Sequence, residues 1–598
     1  MVSEDVDVLE ALASLPTLHH PTVSPDGREV ACYYDVTGRN ELHVLDVASG
    51  ELTQWSDGDV PRDARWPVVW GADGDRVYFH RDDAGDEQND IWAVTRDGEV
   101  RPVVEMDGQA VIHDVSADGA RLLFGSSRDG QMNVYGHDLA TGETTKLTDY
   151  DRAVWNSHRS PDGDCIAYAT NETDDYDNRD VYVADADGSN PRNLELGDVG
   201  AETAPVDWSD DGDALLVTDN TPDLGRAGVY DLATEEVRWL GDDTFQETPV
   251  AFLGDGRVLV TRDRDAVTVP VVYDRETGAG RELDLPEGVT TFRFFGPSNH
   301  ELADGRLVLT HTTPTRRPEL LAYDLDTDDT ETLVAAEHGP FDSADFADAE
   351  YFTVESDGVP ETPQRAVEHD PYESFEIGAL LYDSGERPSP LVVNPHGGPR
   401  GRDAKSFDLY TQVLVARGYS VLQVNYRGSS GRGRAFAEEL IDDWGGAEQG
   451  DGGYSAYWQA VQFPDLYDAT VAWIGIADLD DMYENTMAHF RTELMVKYLG
   501  DPEESPDLYA ERSPVTHVEN VDAPILVVHG VNDRRVPVSQ ARIVRTALDE
   551  AGYEEGEGGD FEYRELGEEG HASSDQAQKL RMFRLLDDFL GRRVGPER

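Results

Sequence analysis

"SADGARLLFGSSRDGQMNVYGHDLATGE", residues 116–143, reads as two turns separated by short strands. It opens on x-D-G, a tight turn in which a glycine at position 119 takes positive φ at no steric cost. An alternating apolar run, "ARLLFG", follows, and then a second strand within "MNVYGHDLATGE" that ends on another turn. The pattern recurs as SPDG at 24–27, GADG at 71–74, SPDG at 160–163, SDDG at 209–212, LGDG at 253–256 and LADG at 302–305. The repeated glycines, at 27, 74, 119, 163, 212, 256 and 305, are spaced by 44 to 49 residues. A unit of this length cannot bury both faces of its own sheet, but a ring of seven can. Near-constant spacing favours a closed ring over a stacked array of sandwiches. A seven-bladed β-propeller is therefore expected over about residues 20–340. That architecture alone assigns no function.

Outward from the repeat, the period changes after about residue 345. "SPLVVNPHGG" and "YSVLQVNYRG" are apolar runs of buried parallel-strand type, with "FDLYTQVLVARG" between them at helical spacing. "ATVAWIGIAD" (469–478) and "APILVVHGVND" (523–533) are further strands, and "VSQARIVRTALDEAG" and "SDQAQKLRMFRLLDDFLG" are amphipathic helices. Alternating strands and helices specify a mostly parallel sheet covered on both faces. At 598 residues the chain is too long for one core. The expected division is 1–344, an N-terminal helix near 6–14 lying outside the blades plus the propeller, and 345–598, the α/β domain.

Composition narrows the setting. Asp plus Glu number 122 against 49 Lys plus Arg, for a net charge of −73, and only four residues are lysine. Such a surface repels nucleic acid and anionic membranes. Disorder is disfavoured by 10 Trp, 25 Tyr and 18 Phe spread throughout. A folded protein working in concentrated salt fits better, because a short Debye length screens self-repulsion while carboxylates hold water. Cys32 and Cys165 have no metal-ligand spacing and read as reduced residues of a cytoplasmic protein. "MVSEDVDVLEALASLP" lacks a basic segment followed by a long apolar one, and no run of 18 apolar residues occurs, so neither export nor a membrane span is expected. No cluster of His, Asp, Glu or Cys has ligand spacing, so no metal or cofactor is expected. Homo-oligomerisation is left open.

Three motifs sit at strand C-terminal ends, where an open α/β sheet places its chemistry. They are His396-Gly397-Gly398-Pro399, Asp533 in "HGVNDRRVP" and His571 in "EEGHASS". Taken singly, each also reads as an ordinary turn or loop. Together, an aspartate 38 residues before a histidine, each on a strand-to-helix loop, matches the end of the α/β-hydrolase order. His571 would accept a proton, Asp533 would fix its tautomer, and Gly397 N–H would face a developing oxyanion.

A seven-bladed propeller followed by HGGP, NYRGSSGRG, WGG, HGxNDxRVP and a terminal GH resembles the prolyl oligopeptidase family over essentially the whole chain. The nearest likeness is to its acylaminoacyl-peptidase and dipeptidyl-aminopeptidase-like branch. The resemblance implies a serine peptidase acting on short peptides, with Asp533 and His571 in the triad and Gly397 in the oxyanion hole. It also implies that Arg535 binds a substrate carbonyl; otherwise Arg535 is an ion-pair residue of an acidic protein.

The nucleophile is missing from that pattern. A G-x-S-x-G-G-Y elbow belongs between WGG and the helix "SAYWQAVQF". Only Gly452-Gly453-Tyr454 is present, and the serine position falls on Gly450, followed by Asp451. Between Gly446 and Gly452 stand five residues, "AEQGD". A parallel crossover needs a dozen or more, and a helix plus a strand needs on the order of 25 to 30. By resemblance the lost strand is central. About ten orphaned backbone groups at ~1–3 kcal/mol each would rival a domain's stability, so the sheet must close up, distort or fail. Ser455 lacks the elbow's final glycine, and Ser429 and Ser430 lie in a Gly-rich loop. Three readings stay open: a peptidase with a deleted segment, a peptide-binding pseudoenzyme, or an unrecognised serine working with His571.

Overall fold

The computed structural model describes residues 6–292, 299–357, 374–441, 443–446 and 452–595. The stretch 447–451, where the sequence places the lost elbow, lies outside the described residues. Two units are present: Pro16–Asp83 with Gln88–Glu337, and Met1–Leu15 with Ala84–Glu87 and His338–Arg598.

The first unit is built from the x-D-G turn. In all seven copies the glycine N–H donates to the carbonyl three residues back, at 2.8–2.9 Å, and the glycine φ lies between +66° and +85°. Where the turn begins with serine, its hydroxyl does two further things. Ser24, Ser116, Ser160 and Ser209 each donate to the aspartate two residues on and accept from the N–H five residues on. Each turn joins the first two strands of a four-stranded antiparallel blade, and the blades span 18–54, 69–104, 110–146, 155–193, 203–239, 246–282 and 289–334. A single parallel bridge, Thr268 to Val289, links the last two. Seven blades are what the repeat predicts.

Neighbouring blades are clasped through their first strands. Trp70 and Trp208 donate their indole N–H to Thr22 O and His158 O of the preceding blade. Asp114 and Asp207 accept Arg159 N–H and Phe252 N–H of the following blade, each at 2.8 Å. Val30, Leu45, Leu302, Val308 and Leu320 share one core between the first and last blades. There the 2 % exposed Arg317 also bonds Pro16 O and Thr17. The ring is closed.

In the second unit the N-terminal helix α1 (Val8–Ala13) is capped by Asp7, whose carboxylate accepts from Leu9 N and Glu10 N. Its apolar face buries Leu9, Leu12 and Ala13 in a core that also holds Phe346, Val413 and Phe583. The helix therefore shares the core of the C-terminal unit, and the compact units divide at Glu337/His338, where the sequence suggests 344/345. An amphipathic stripe shows that a helix buries a face but not which surface receives it.

Strands β1 (Ala349–Glu355), β2 (Glu376–Tyr382), β3 (Leu391–Pro395) and β4 (Ser420–Asn425) form one sheet, in the order β1-β2-β4-β3, with β3 parallel to β4. Strands β5 (Thr470–Trp473), β6 (Ile525–His529) and β7 (Phe561–Glu565) form a separate parallel sheet. Helices α2 (Leu409–Ala416), α3 (Gly452–Gln462), α4 (Ser539–Ala551) and α5 (Gln576–Arg593) complete the α/β pattern. Among the described residues the two sheets do not pair, and β3 exposes Leu391 (55 %) and Val393 (39 %), although its sequence is of the buried parallel type.

Candidate active site

Two loops carry the site's charged groups. The loop after β6 is fixed by Asp533, whose Oδ1 accepts Arg535 N–H (2.9 Å) and Val536 N–H (3.0 Å). Its Oδ2 accepts from His571 Nδ1 at 2.8 Å, which joins it to the loop after β7. Burial raises the Asp533 carboxyl, but His571, His529 and the Val536 N–H outweigh it and hold the group below the ordinary carboxylate value. Asp533 is 4 % exposed and ionised, so it fixes the His571 Nδ1–H tautomer. His571 makes no other hydrogen bond among the described residues, which leaves Nε2 without a partner.

The histidine loop is positioned by close backbone approach. A Cβ at Gly530 would stand 2.2 Å from Gly570 O, and one at Gly570 would stand 1.9 Å from Gly85 O. The segment Ala84–Glu87 thus packs against the residue before His571. Asn532 donates to Ala84 O at 3.0 Å, and Arg535 Nε bonds Glu87 Oε1 at 2.6 Å. Arg535 is therefore ion-paired, with its side chain 13 % exposed beside a 6 % exposed Glu87. Nothing local marks Glu87 in the sequence, since it stands 448 residues from its arginine. Beneath the loop His529 donates Nε2–H to Val536 O, and burial keeps the ring's basicity low.

Gly397 follows β3 in the HGGP turn, and no group among the described residues bonds its N–H. His396 braces the turn. Its ring stacks on Tyr426 at 4.2 Å, and its Nε2–H donates to Ser429 Oγ at 2.8 Å, while that hydroxyl donates to Tyr426 O. Tyr426 Oη in turn donates to His396 O. Burial holds His396 neutral, with a pKa pushed down to about 4. The structure thus brings Asp533, His571 and Arg535 together, while Gly397 lies in the turn after β3.

The Gly452-Gly453-Tyr454 tripeptide at the start of α3 reaches the ends of β3 and β5. Gly452 N donates to His396 O at 3.0 Å, and a Cβ on Gly453 would stand 2.5 Å from Trp473 O and Gly475 Cα. Trp444 packs its ring 5.4 Å from Tyr454, whose hydroxyl donates to Arg512 O. Ser455 is 6 % exposed on α3 and Ser429 is fully buried, so neither is an accessible nucleophile. Ser430, in the loop after β4, donates its backbone N–H to Gly401 O in the loop after β3. Gly450 and Asp451 lie outside the described residues.

The two units are a propeller and an α/β unit of the hydrolase type. The sequence profile of the prolyl oligopeptidase family matches this chain in two pieces, residues 405–451 and 450–597, both within the α/β unit. Dipeptidyl aminopeptidase BIII of Pseudoxanthomonas mexicana is 23 % identical, with 90 % of this chain and 82 % of that protein covered. The acylamino-acid-releasing enzyme of Homo sapiens is 30 % identical over 30 % of this chain and 29 % of its own. A puromycin-hydrolyzing peptidase of Mycobacterium tuberculosis shares the fold, with a TM-score of 0.82, 21 % identity and coverage of 100 % and 97 %. Among the described residues no helix is long and apolar enough to cross a membrane, and no group of three or more His, Cys, Asp or Glu is placed to hold a metal ion.

Proposed function

We propose that this chain is the scaffold of a serine peptidase of the acylaminoacyl- or dipeptidyl-peptidase kind, whose nucleophile-bearing segment is absent, so that as it stands it does not hydrolyse peptides. One observation carries the reading: Asp533 and His571 are 2.8 Å apart, with His571 Nε2 bonded to nothing among the described residues. A base and its orienting carboxylate are in place without a hydroxyl to activate. Two further observations support it. The family profile breaks at 450/451, and the sheet is divided between β3 and β5, where a strand leading to an elbow belongs.

With a serine present, His571 would take its proton as the oxygen attacks a peptide carbonyl, and Asp533 would stabilise the resulting imidazolium. Gly397 N–H would donate to the oxyanion, supported by the neutral His396 turn. Arg535, held by Glu87, would be released or re-aimed toward a substrate carbonyl. The charge of −73 fits folding and function in concentrated salt.

The test is restoration. A helix, a strand and a G-x-S-x-G-G-Y elbow inserted between Gly446 and Gly452 should create hydrolysis of acyl-aminoacyl or dipeptidyl chromogenic substrates in molar salt. The rate should exceed that of the unmodified chain by at least about 10³-fold and be lost on His571→Ala. A folded but inactive insertion variant would refute the assignment of Asp533 and His571.

A further inference from the structure

The sequence contains fourteen Asp–Gly peptide bonds, from Asp26–Gly27 to Asp451–Gly452. This link is open to backbone isomerisation, because glycine places no side chain in the way of its own nitrogen. In that reaction the glycine nitrogen attacks the aspartyl Cγ and a C–N bond forms. The Cγ–OH bond breaks, and the amide proton leaves with the hydroxyl as one water. The five-membered imide then takes up one water at the former backbone carbonyl, whose bond to the nitrogen opens. The chain now runs through Cγ, one methylene longer, with a free carboxylate where the backbone carbonyl stood. Mass and charge are unchanged, and water is the only co-reactant.

To begin, the glycine nitrogen must give up its proton and swing toward Cγ, and a hydrogen bond from that N–H opposes both. Twelve of the fourteen pairs have both residues described; Asp357–Gly358 and Asp451–Gly452 do not. In eleven of the twelve the glycine N–H is held. Ten donate to the carbonyl three residues back, at 2.8–3.0 Å, and Gly58 donates to Glu41 Oε1 at 2.8 Å. In the serine-led turns the carboxylate is held as well. The serine hydroxyl keeps Asp26, Asp118, Asp162 and Asp211 below the ordinary carboxylate value, away from the protonated form that the reaction consumes.

The exception is Asp107–Gly108, in the connection between the blades at 69–104 and 110–146. Asp107 is exposed, and neither its carboxylate nor the Gly108 N–H bonds any group among the described residues. The flanks, by contrast, are anchored. Met106 N–H donates to Asp90 Oδ1 and Gln109 N–H to Ser127 Oγ, each at 3.0 Å. The bend also keeps its glycine, since φ is +81° and a Cβ would stand 3.0 Å from Arg128 N and Ser127 Oγ.

We infer that Asp107 is a site of spontaneous covalent modification, where the Asp107–Gly108 link converts to isoaspartate ahead of the eleven held pairs. The inference is independent of the peptidase reading.

One tryptic peptide contains its own controls. Pro102 blocks cleavage at Arg101, so residues 97–121 stay together and carry Asp97–Gly98, Asp107–Gly108 and Asp118–Gly119. The full chain is aged in molar KCl at about pH 5, where carboxyls are partly protonated, with circular dichroism confirming the fold before and after. Electron-transfer fragmentation of the digest then locates isoaspartate at each position. Isoaspartate at 107 should accumulate at least about tenfold faster than at 97 or 118. In urea, where no turn holds an N–H, the three positions should react at comparable rates. Asp107→Glu keeps the charge but closes no five-membered ring, and should leave the peptide without the fast product. Equal rates at the three positions of the folded chain, or no isoaspartate at 107, would overturn the inference. So would a lead at 107 that persists in urea, because its cause would then lie in the neighbouring residues and not in the fold.

Discussion

The two units meet the same requirement, pairing every strand, with opposite results. Each blade of the propeller draws its four strands from consecutive sequence, and its turns fix the register locally. The α/β unit takes strand neighbours from distant sequence, and among the described residues β3 and β5 stand at the edges of two separate sheets. Asp533 and His571 are unaffected because their loops rise from β6 and β7, which still pair in register. On the proposed reading, a base and its orienting carboxylate keep their geometry without a strand bringing a nucleophile between β3 and β5.

The largest test of this contrast is steric. Phe124, fully buried in the third blade, should cost about 3–5 kcal/mol as Phe124→Ala in urea denaturation. Val393→Ala, on the open strand, should cost no more than about 0.5 kcal/mol. A cost of several kcal/mol at Val393 would mean that the rim is covered in solution, and the contrast would fail. Ring closure gives a smaller effect. Arg317→Ala removes the donors to Pro16 O and should destabilise the protein by about 1–3 kcal/mol.

The smallest effect is the pH response of the HGGP turn. The folded-state pKa of His396, about 4, lies below its ordinary value of about 6.5, so the folded chain binds fewer protons in that interval. The stability contributed by the neutral ring is complete above about pH 6.5 and is lost as pH falls toward 4. An NMR titration should show His396 neutral at pH 5, and the melting temperature of His396→Asn should fall less on acidification than that of the native chain. A His396 resonance titrating near 6.5 would remove this support for the turn.

Local chemistry was the legible part. The seven x-D-G turns could be read because each closes within four residues, and Asp533 and His571 because each follows its own strand. Long-range partners could not be read. No pattern in "AGDE" at 84–87 points to Gly570, Asn532 or Arg535, and the apolar stripe of α1 does not name Phe583. For Ser429 the sequence shows only a Gly-rich loop. Burial and the bond to His396 are what remove it as a nucleophile.

Fluorophosphonate labelling tests the central claim most directly, because the reagent needs a serine activated by a base. The purified chain, folded in molar salt and incubated with excess reagent, should show no mass increase, and its His571→Ala variant should behave identically. A stoichiometric adduct on one serine, abolished by His571→Ala, would contradict the account and show that an active nucleophile stands beside His571 after all.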